Sequence, residues 1–519
     1  MSETENSTAS PPGGTESTNG AGTARVDPAR IEALLADLGE IRIETSEALI
    51  RQKSRDYYWY SPVLKARLDG VVADVVVTPR DEAEVIAVIG ACVRHEVPLT
   101  ARGKGTGNYG QAMPLAGGVV LSLADMADIR EIAPGRVVTG PGAVCADIDE
   151  ATRAHSGQEL RMHPSTATMA SIGGFVAGGS GGIGSTRWGG LRDLGNVLRL
   201  RVVTMEAEPR VLELTGDEVA KVIHAYGTNG IITEVEMPLT ASYDWVDVML
   251  AFDDFMAAAT FSDALANQDG ILVKLNCTVA APAPETYFRR HRAYVEAGES
   301  LAILMVAPQS LDAALAFARR HGARVAWNAA EADAATRKKV PPVYQLTWNH
   351  TTLRALKEDE TITYLQVLYP FPHQLELVRT LHERFAGEVI DHLEFVRFDG
   401  DNTCFGLPLV RYTTEARLDE IVDAFNAAGA PVFNPHRYTL EEGGMKRTDA
   451  VQLAFKRDAD PKGLLNPGKM IGHDDPDHDY DNGGVWLFEG LAEGAGTSDA
   501  NAAGEPEGAD APAGATTEA

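Results

Sequence analysis

The feature that most constrains this chain is a glycine-rich run between residues 163 and 185, which holds seven glycines and several hydroxyl side chains. Glycine loses more conformational entropy on folding than any other residue, so such a density weakens a fold unless something fills the space that side chains leave free. A large flat ligand that carries a diphosphate is a natural occupant. A tightly packed contact between glycine- and alanine-rich helices is the alternative.

A second glycine segment, residues 102–108, follows directly after a predicted strand. Its glycines allow backbone N–H groups to approach an anion closely. The spacing is not that of a P-loop, and a Rossmann GxGxxG fingerprint does not fit between this strand and a helix. Alone, the segment predicts either an anion-binding loop or a plain glycine turn.

The order of predicted elements indicates a β–α–β unit near the start of the ordered chain, with a strand at 75–77, a helix at 83–94 and a strand at 97–101. Asp81 is expected to cap that helix, with Glu84 at the capping-box position. Further elements complete one α+β region up to residue 240: strands at 119–123, 137–139, 196–205 and 231–237, and helices at 146–155 and 218–226.

Beyond residue 240 the glycine clusters vanish, and predicted strands alternate with amphipathic helices, which indicates a second α+β region. The expected strands are 245–252, 271–275, 301–306, 361–368, 389–396 and 403–410, and the expected helices are 254–266, 310–321, 374–385 and 414–428. The compositions of 1–27 and 474–519 are typical of disordered tails. Within the second tail, the apolar patch 485–488 is interpreted either as a segment that folds back on the body or as a docking peptide.

The formal net charge of −28 argues against one class of partner. Nucleic-acid binding depends largely on neutralising phosphates, so we expect no nucleic-acid partner. Four well-separated cysteines argue against a zinc ribbon or a disulfide framework. The sequence has no run of about 20 apolar residues and no secretory signal, so we expect no transmembrane segment and a cytoplasmic location.

Six stretches follow one another along the chain in an order that is typical of one family: 73–85, 102–107, 164–182, 193–203, 227–233 and 460–469. The last reads Asp-Pro-Lys-Gly-Leu-Leu-Asn-Pro-Gly-Lys. Together they resemble the PCMH-type FAD-binding domain of the vanillyl-alcohol oxidase/para-cresol methylhydroxylase superfamily. The pattern is most similar to the branch that contains the glycolate oxidase subunit and D-lactate dehydrogenase.

The resemblance implies an α+β fold with a two-part PCMH-type FAD-binding domain at 28–240, whose core is 69–240. An α+β cap domain with an antiparallel sheet would follow at 241–430, and residues 431–473 would return to the flavin. The implied cofactor is FAD. The residues expected around it are Arg102, Gly103, Lys104, Gly105, Thr106, Gly107, Pro164, Ser165, Ser171, Gly173, Gly174, Gly178, Gly179, Gly181, Gly182, Gly184, Ser185, Ile232 and Asn466.

Some members of the family attach the flavin covalently to a histidine in the loop that corresponds to residues 102–108. This sequence has no histidine there, so we expect noncovalent FAD. Attachment from the cap stays open as the alternative. The histidine-containing stretches that place a metal in this branch are altered at 398–405 and 434–438, so we expect no metal.

The resemblance further implies a cytoplasmic FAD-linked oxidase or dehydrogenase that oxidises a small CH–OH donor by hydride transfer to flavin N5. The donor would be a hydroxy acid, an alcohol or a sugar. A cap side chain would accept the hydroxyl proton. The candidates are His436 and His350 as base or orienting group, Tyr344 as another proton acceptor, and Arg397 as a carboxylate clamp.

The alternative is a noncatalytic FAD-binding electron-transfer subunit of a larger dehydrogenase complex. The electron acceptor stays open between O2, a quinone and a cytochrome, and a homo-oligomer stays open as well.

Overall fold

The computed structural model describes residues 25–179, 181–444 and 449–475. Nearly all of the two predicted tails, together with the patch 485–488, lies outside the described residues. The described strands form four sheets, of four, six, seven and three strands. None of the helices in the described ranges is long and apolar enough to cross a membrane.

The four-stranded sheet contains the predicted β–α–β unit. Its strands lie in the order Arg42–Glu44, Val75–Thr78, Val119–Ser122, Leu99–Arg102. The last three strands are parallel, and helix Glu82–Arg94 makes the crossover. The Asp81 side chain accepts a hydrogen bond from the Glu84 N–H, which confirms the predicted cap. The second glycine segment therefore begins at the carboxyl end of a parallel strand, as the sequence predicts.

The six-stranded sheet is antiparallel and follows directly along the chain. Its strand order is Ile129–Ala133, Arg136–Thr139, Ile231–Ala241, Arg199–Val203, Val211–Thr215, with Gln158–Leu160 paired to the end of Ile231–Ala241. Helix Cys145–Ser156 lies between two of these strands in the chain. The predicted helix 218–226 is wrong beyond a short 3-10 turn at Gly216–Lys221, because His224 and Tyr226 have positive φ angles of 56° and 52°.

The seven-stranded antiparallel sheet dominates the second region, and we call it the cap sheet. Its order is Arg324–Asn328, Val246–Phe252, Ser300–Val306, Val273–Val279, His392–Phe398, Asp401–Gly406, Val367–Tyr369. Side chains alternate between the two faces of a strand. In Ser300–Val306, Leu301 and Ile303 join one core cluster, whereas Ala302 and Leu304 join another. Burial on both faces explains the unbroken apolar sequence of this strand.

Three predicted strands of the second region each split in two, because the chain passes between the cap sheet and a three-stranded sheet. The smaller sheet consists of Ile362–Tyr364, Leu409–Arg411 and Val389–Ile390. The switches fall near Gln366, Asp391 and Leu407. Sheets that meet at such corners need a local bend, which an apolar run does not disclose. The overall α+β class and the antiparallel cap sheet are confirmed.

The remaining helices connect or cover the sheets. They are Pro28–Asp37, Glu47–Lys53, Pro62–Leu68, Ile172–Gly178, Ser185–Trp188, Phe255–Ala266, Ala283–Tyr287, Leu311–Arg320, Ala334–Lys339, Asn349–Leu356, Gln374–Arg384, Glu415–Ala427, Ala450–Ala459 and Ile471–Asp474. After Ala450–Ala459 the chain returns to the four-stranded sheet, where Leu465 bridges Leu99. The Asn466 N–H donates to the Leu99 carbonyl at 2.7 Å. The C-terminal segment is thereby fixed beside the strand that leads into the second glycine segment.

Candidate functional site

One large cavity lies where the two glycine segments and the cap meet. Its first wall is the second glycine segment, which we call the glycine loop and define as residues 102–108. Its second wall is the first glycine segment, which we call the glycine strap and define as residues 163–185. The third wall comes from the cap: Trp348, Asn349, His350, Leu353, Gln366, Phe405, Gly406, Leu407 and Phe433.

The two glycine segments approach each other at Gly103 and Gly174. A Cβ atom on Gly103 would lie 2.1 Å from the Ser171 Oγ, so the backbone there has no room for a side chain. The Lys104 N–H donates to the same Ser171 Oγ at 3.3 Å. Gly105 has a φ of +67°, and a Cβ there would meet the Arg102 guanidinium at 2.1 Å. The position of Gly103 therefore favours glycine for space, and that of Gly105 favours it for both conformation and space.

Other glycines of the strap serve the packing of the protein itself. A Cβ on Gly182 would lie 2.3 Å from the His163 carbonyl oxygen. Gly184 has a φ of +111°, and a Cβ there would lie 2.1 Å from the Arg161 carbonyl oxygen. The Ser185 Oγ accepts a hydrogen bond from the Gly182 N–H at 3.0 Å. This part of the strap is held against its own neighbours, and Gly184 and Ser185 do not line the cavity.

Sixteen of the nineteen predicted cofactor residues line this single cavity, which is why one extended ligand can contact both glycine segments. The exceptions are Gly184, Ser185 and Asn466. The Asn466 amide donates to the carbonyl oxygens of Tyr226 at 2.6 Å and Gln111 at 3.0 Å. Both partners line the cavity. Asn466 therefore lies behind the wall and ties two of its segments together.

Among the predicted catalytic residues, His350 lines the cavity. Its Nδ1 atom is buried and has no hydrogen-bond partner among the described residues. Burial, together with the nearby charges of Arg354 and Lys357, lowers the pKa of His350 to about 4. The imidazole is therefore neutral at pH 7 and retains a free lone pair or a free N–H.

His436 is not placed at the cavity. Its side chain is buried, its Nδ1 lies 2.8 Å from the Ser61 Oγ, and its Nε2 lies 2.9 Å from the Tyr364 carbonyl oxygen. Because a carbonyl can only accept, Nε2 carries the proton and Nδ1 accepts from the serine hydroxyl. Both nitrogens are engaged inside the protein, so His436 offers no atom to a donor.

The remaining two candidates also lie outside the lining of the cavity. Arg397 is exposed near the end of strand His392–Phe398, whereas His392 on the same strand is buried. An odd spacing of five residues places the two on opposite faces, as expected. Tyr344 lies behind the strap, where its ring meets the His163 ring edge-on at 5.7 Å between centroids. Neither Arg397 nor Tyr344 is positioned to contact a ligand in the cavity.

One buried group has the chemistry of metal ligands. Cys277, His392 and Glu394 present their sulfur, nitrogen and oxygen atoms within 4.8 Å of one another. The Glu394 carboxylate accepts from the His392 Nε2 at 2.8 Å and from the Trp348 N–H at 2.6 Å. The Cys277 thiol also hydrogen-bonds to Glu394. These contacts satisfy the carboxylate with hydrogen-bond donors of the protein itself.

A comparison with known families decides the nature of the cavity. Residues 73–213, which include the whole glycine loop and the whole strap, match the family model described as "FAD binding domain". This region is therefore similar to an FAD-binding domain. The predicted resemblance and the predicted cofactor, FAD, are confirmed.

Curated relatives match over about a third of the chain. The glycolate oxidase subunit GlcD of Bacillus subtilis is 31% identical over 207 residues, which are 37% of this chain and 43% of the relative. GlcD of Escherichia coli K12 is 32% identical over 203 residues, covering 37% and 40%. The D-lactate dehydrogenase of Archaeoglobus fulgidus is 30% identical over 175 residues, covering 32% and 38%. The matched region thus spans less than half of each relative.

Among solved structures, an alkyldihydroxyacetonephosphate synthase superposes with a TM-score of 0.64 and 15% sequence identity. The match covers 86% of this chain and 87% of that protein. At this identity the similarity concerns the fold alone. It extends the likeness from the FAD-binding domain to most of the described chain, including the cap sheet.

The lining residues fit FAD at the glycine segments and a further polar group at the cap wall. Where Gly103 and Gly174 meet, the absence of side chains leaves backbone N–H groups open to an anion, which suits a diphosphate. On the opposite wall, Trp348 Nε1, Asn349 Oδ1 and His350 Nδ1 are all buried without a hydrogen-bond partner among the described residues. Buried polar atoms are rarely left unpaired, so three in a row indicate a polar ligand in the cavity.

Several residues that line the FAD cavity were not predicted. Tyr57 and Tyr60 come from the aromatic run at 57–60, and the Tyr57 N–H donates to the Gly107 carbonyl at 2.7 Å. The aromatic cluster just before the FAD-binding core is the sequence feature from which these two lining residues could have been predicted. His224 and Tyr226 also line the cavity, but they were assigned to a helix, and only their positive φ angles bring them there.

Two buried titratable residues, Asp56 and Lys469, interact electrostatically beside the cavity. The Asp56 carboxylate lines the cavity and accepts from the Tyr58 N–H at 2.9 Å. Lys469 is fully buried and donates to the Gly110 carbonyl at 2.6 Å. Burial raises the pKa of Asp56 to about 6, and burial lowers the pKa of Lys469 to about 7, while each charge partly offsets the cost to the other. The aspartate and lysine of this pair stand far apart in sequence, so no motif revealed it.

Proposed function

We propose that this protein is an FAD-dependent oxidoreductase that oxidises a small donor at a carbon atom bearing a hydroxyl group. The observation that carries the proposal is His350, a neutral imidazole with an unpaired nitrogen on the cap wall of the FAD cavity. A general base of this kind can accept the hydroxyl proton while the carbon loses hydride. FAD, when bound, supplies the hydride acceptor.

The position of each lining residue in the cavity indicates its proposed role. Backbone N–H groups of Gly103–Gly107 would hold the diphosphate, and the strap residues from Ser171 to Gly182 would lie along the rest of the cofactor. His350 would take the proton, and Trp348 and Asn349 would hydrogen-bond the donor. Tyr57, Tyr60 and Phe405 would form an apolar wall that limits access of water.

The names of the relatives, glycolate oxidase subunit and D-lactate dehydrogenase, make a 2-hydroxy acid the first donor to test. The side chains of the cap do not by themselves favour a 2-hydroxy acid over other donors. Among the described residues that line the cavity, Arg102 and Lys104 are the arginine and lysine side chains, and both belong to the glycine loop. Alcohols and sugars therefore belong in the same screen as the hydroxy acids.

The decisive experiment is anaerobic mixing of the purified holoprotein with a panel of hydroxy acids, alcohols and sugars. Loss of the yellow flavin absorbance with one of them supports an oxidoreductase that reduces its own flavin. If none bleaches the flavin while dithionite does, the alternative of an electron-transfer subunit gains support. Acid precipitation of the same sample should release the colour into the supernatant, because we propose that the FAD is bound noncovalently. Colour in the pellet would contradict that part of the proposal.

A further inference from the structure

The backbone at Trp348 has a conformation that its sequence does not favour. Trp348 has φ 51° and ψ −142° and stands immediately before helix Asn349–Leu356. A bulky side chain is rare at positive φ because its Cβ meets the neighbouring carbonyl. Such strained residues persist only where the surroundings enforce them, and they are enriched at ligand sites. Something must therefore hold Trp348 in place.

The buried Glu394 carboxylate lies at this point. Its Oε1 accepts the Trp348 N–H at 2.6 Å and is itself held by the His392 Nε2 at 2.8 Å. His392 Nε2 also lies 3.4 Å from the Thr351 Oγ1, one turn further along the same helix. Both Glu394 and His392 belong to strand His392–Phe398, which is paired on both sides within the cap sheet, so the start of the helix is attached to an interior strand.

The segment held in this way is the one that faces the ligand. Trp348 Nε1, Asn349 Oδ1 and His350 Nδ1 are buried and have no hydrogen-bond partner among the described residues, and all three residues line the cavity. The far edge of the Trp348 indole lies 3.5 Å from where a Cβ would stand on Gly181 of the strap. A small rotation at Trp348 would thus move three hydrogen-bonding atoms and the contact with the strap together.

We propose that Glu394 is a positioning residue for donor oxidation: it fixes the left-handed backbone at Trp348 and thereby aims Trp348, Asn349 and His350 at the donor. The inference rests on the proposed function, because it assigns this segment to the donor. The recognised part of the donor is an uncharged hydroxyl or carbonyl group, since the three atoms come from an indole, an amide and a neutral imidazole. Glu394 itself does not touch the ligand.

The test compares Glu394→Ala and Glu394→Gln with Asp391→Ala in the full-length holoprotein. Asp391 is the matched control: it is also buried, pairs with a histidine at 2.6 Å and stands three residues away, but makes no contact with Trp348 that the structure records. A displacement of about 1 Å in a reacting geometry can cost about a hundredfold in rate. We expect Glu394→Ala to retain FAD but to slow anaerobic flavin reduction by about ten- to a hundredfold.

Glu394→Gln keeps an oxygen that can accept the Trp348 N–H, so its rate of flavin reduction should lie within about fivefold of the wild-type rate. The flavin of Asp391→Ala should be reduced at the wild-type rate. Equal rates for Glu394→Ala and wild type would overturn the inference. So would a glutamine variant as slow as the alanine variant. A loss of rate in Asp391→Ala as large as that in Glu394→Ala would also overturn it, because the effect would then be one of cap stability.

A second readout does not require a donor. The fluorescence of Trp348 is isolated by subtracting the spectrum of Trp348→Phe in each background, and acrylamide quenching then measures its exposure. We expect Trp348 to be protected in wild type and Glu394→Gln and several times more quenchable in Glu394→Ala. If none of the tested donors reduces the flavin of the wild-type protein, the proposed function fails. If acrylamide quenching of Trp348 is the same in Glu394→Ala as in wild type, the positioning role of Glu394 is wrong. One zinc ion per purified chain would also overturn it, because Cys277, His392 and Glu394 would then be metal ligands.

Discussion

At the scale of single residues, the glycines of the FAD cavity differ in what they exclude. Gly174 lines the cavity, and a Cβ there would lie 3.0 Å from the Ser171 Oγ and 3.9 Å from the Gly103 Cα. The protein therefore has room for a small side chain at this point, but the branches of valine would enter the space of the cofactor and restrict the backbone. We expect Gly174→Val to fold and to lose FAD.

The measurement is the ratio of flavin to protein absorbance after purification, with the melting temperature as a check on folding. Gly270→Val is the control, because nothing lies within 4 Å of a Cβ at Gly270 and it does not line the cavity. A well-folded Gly174→Val protein with full flavin content would mean that this glycine serves only the scaffold.

We expect substitutions of the two candidate histidines to have different effects on the rate of flavin reduction. His350→Ala should keep FAD and slow flavin reduction by about 10²–10⁴-fold, the usual effect of losing a general base. Because burial lowers the pKa of His350 to about 4, the wild-type rate of reduction should stay constant from pH 8 to about pH 5 and fall only as the imidazole protonates near pH 4. A stopped-flow pH series checks this. A midpoint near 6.5 would point to a solvent-exposed base instead.

His436→Ala should behave differently. It removes a hydrogen-bonded side chain between Ser61 and the Tyr364 carbonyl, so we expect lower stability but a rate of flavin reduction within a few-fold of wild type once FAD is bound. A reduction rate as low as that of His350→Ala, in a protein of normal flavin content, would restore His436 as a catalytic candidate.

At the scale of elements, the sequence predicted the helices and strands that local patterns determine. It did not predict the features that depend on contacts between distant parts of the chain. The helix at 83–94 and the strand at 301–306 were predicted to within a residue or two, because capping and apolar runs are local signals. The split strands of the cap and the turn that presents His224 and Tyr226 were missed. Their form depends on pairing partners that lie far away in the sequence.

The same limit explains the candidate site. Glycine spacing identified most of the cofactor wall, since glycine reports a local need for space. The placement of His436 could not be read in this way, because its two partners, Ser61 and Tyr364, are 375 and 72 residues distant. Tertiary contacts determine whether the side chain of a histidine faces a cavity or a buried serine. The residues that precede the histidine in the sequence do not determine this.

The returning C-terminal segment yields a prediction at this scale. Asn466 combines a positive φ of 46° with two side-chain hydrogen bonds to the carbonyls of Tyr226 and Gln111. In Asn466→Ala both carbonyls lose a buried donor, and alanine tolerates positive φ less well than asparagine. We expect a loss of about 1–3 kcal/mol in the free energy of unfolding and weaker retention of FAD, since both partners line the cavity.

Urea denaturation and the dissociation constant for FAD measure the two effects. Asn402→Ala is the control, because its amide bonds only the Asn267 side chain at the surface. An Asn466→Ala protein with wild-type stability and affinity would show that the C-terminal segment does not support the cavity.

At the scale of the whole molecule, buried histidines dominate the response to acid. Burial lowers the pKa of five of them, to about 3 for three and to about 4 for two: His163, His224, His436, His291 and His350. A histidine in the unfolded chain titrates near pH 6.5. Between about pH 6.5 and 4 the unfolded state therefore binds more protons than the folded state, so the free energy of unfolding falls as the pH falls.

Five aspartates act in the opposite direction, because burial raises the pKa of Asp149, Asp193 and Asp391 as well as that of Asp56 and Asp247. Burial raises the pKa of Asp56 and of Asp247 to about 6, so below pH 6 they bind protons in the folded state before the unfolded state does. Their contribution stabilises the protein as the pH falls from 6 to about 4. The pKa shifts of Asp56 and Asp247 are smaller than those of the three histidines whose pKa falls to about 3, so we expect the histidines to decide the sign.

We therefore expect the melting temperature of the FAD-free protein to fall steadily from pH 7 to pH 5, measured by differential scanning fluorimetry at constant ionic strength. His436→Gln should lower the melting temperature at pH 7 but reduce the steepness of its fall, because one proton fewer is taken up on unfolding. Glu296→Gln is the control, since its side chain is exposed, and it should leave both values close to wild type. A melting temperature that rises on acidification would mean that the aspartates outweigh the histidines, and an unchanged slope in His436→Gln would mean that this imidazole is protonated in the folded protein.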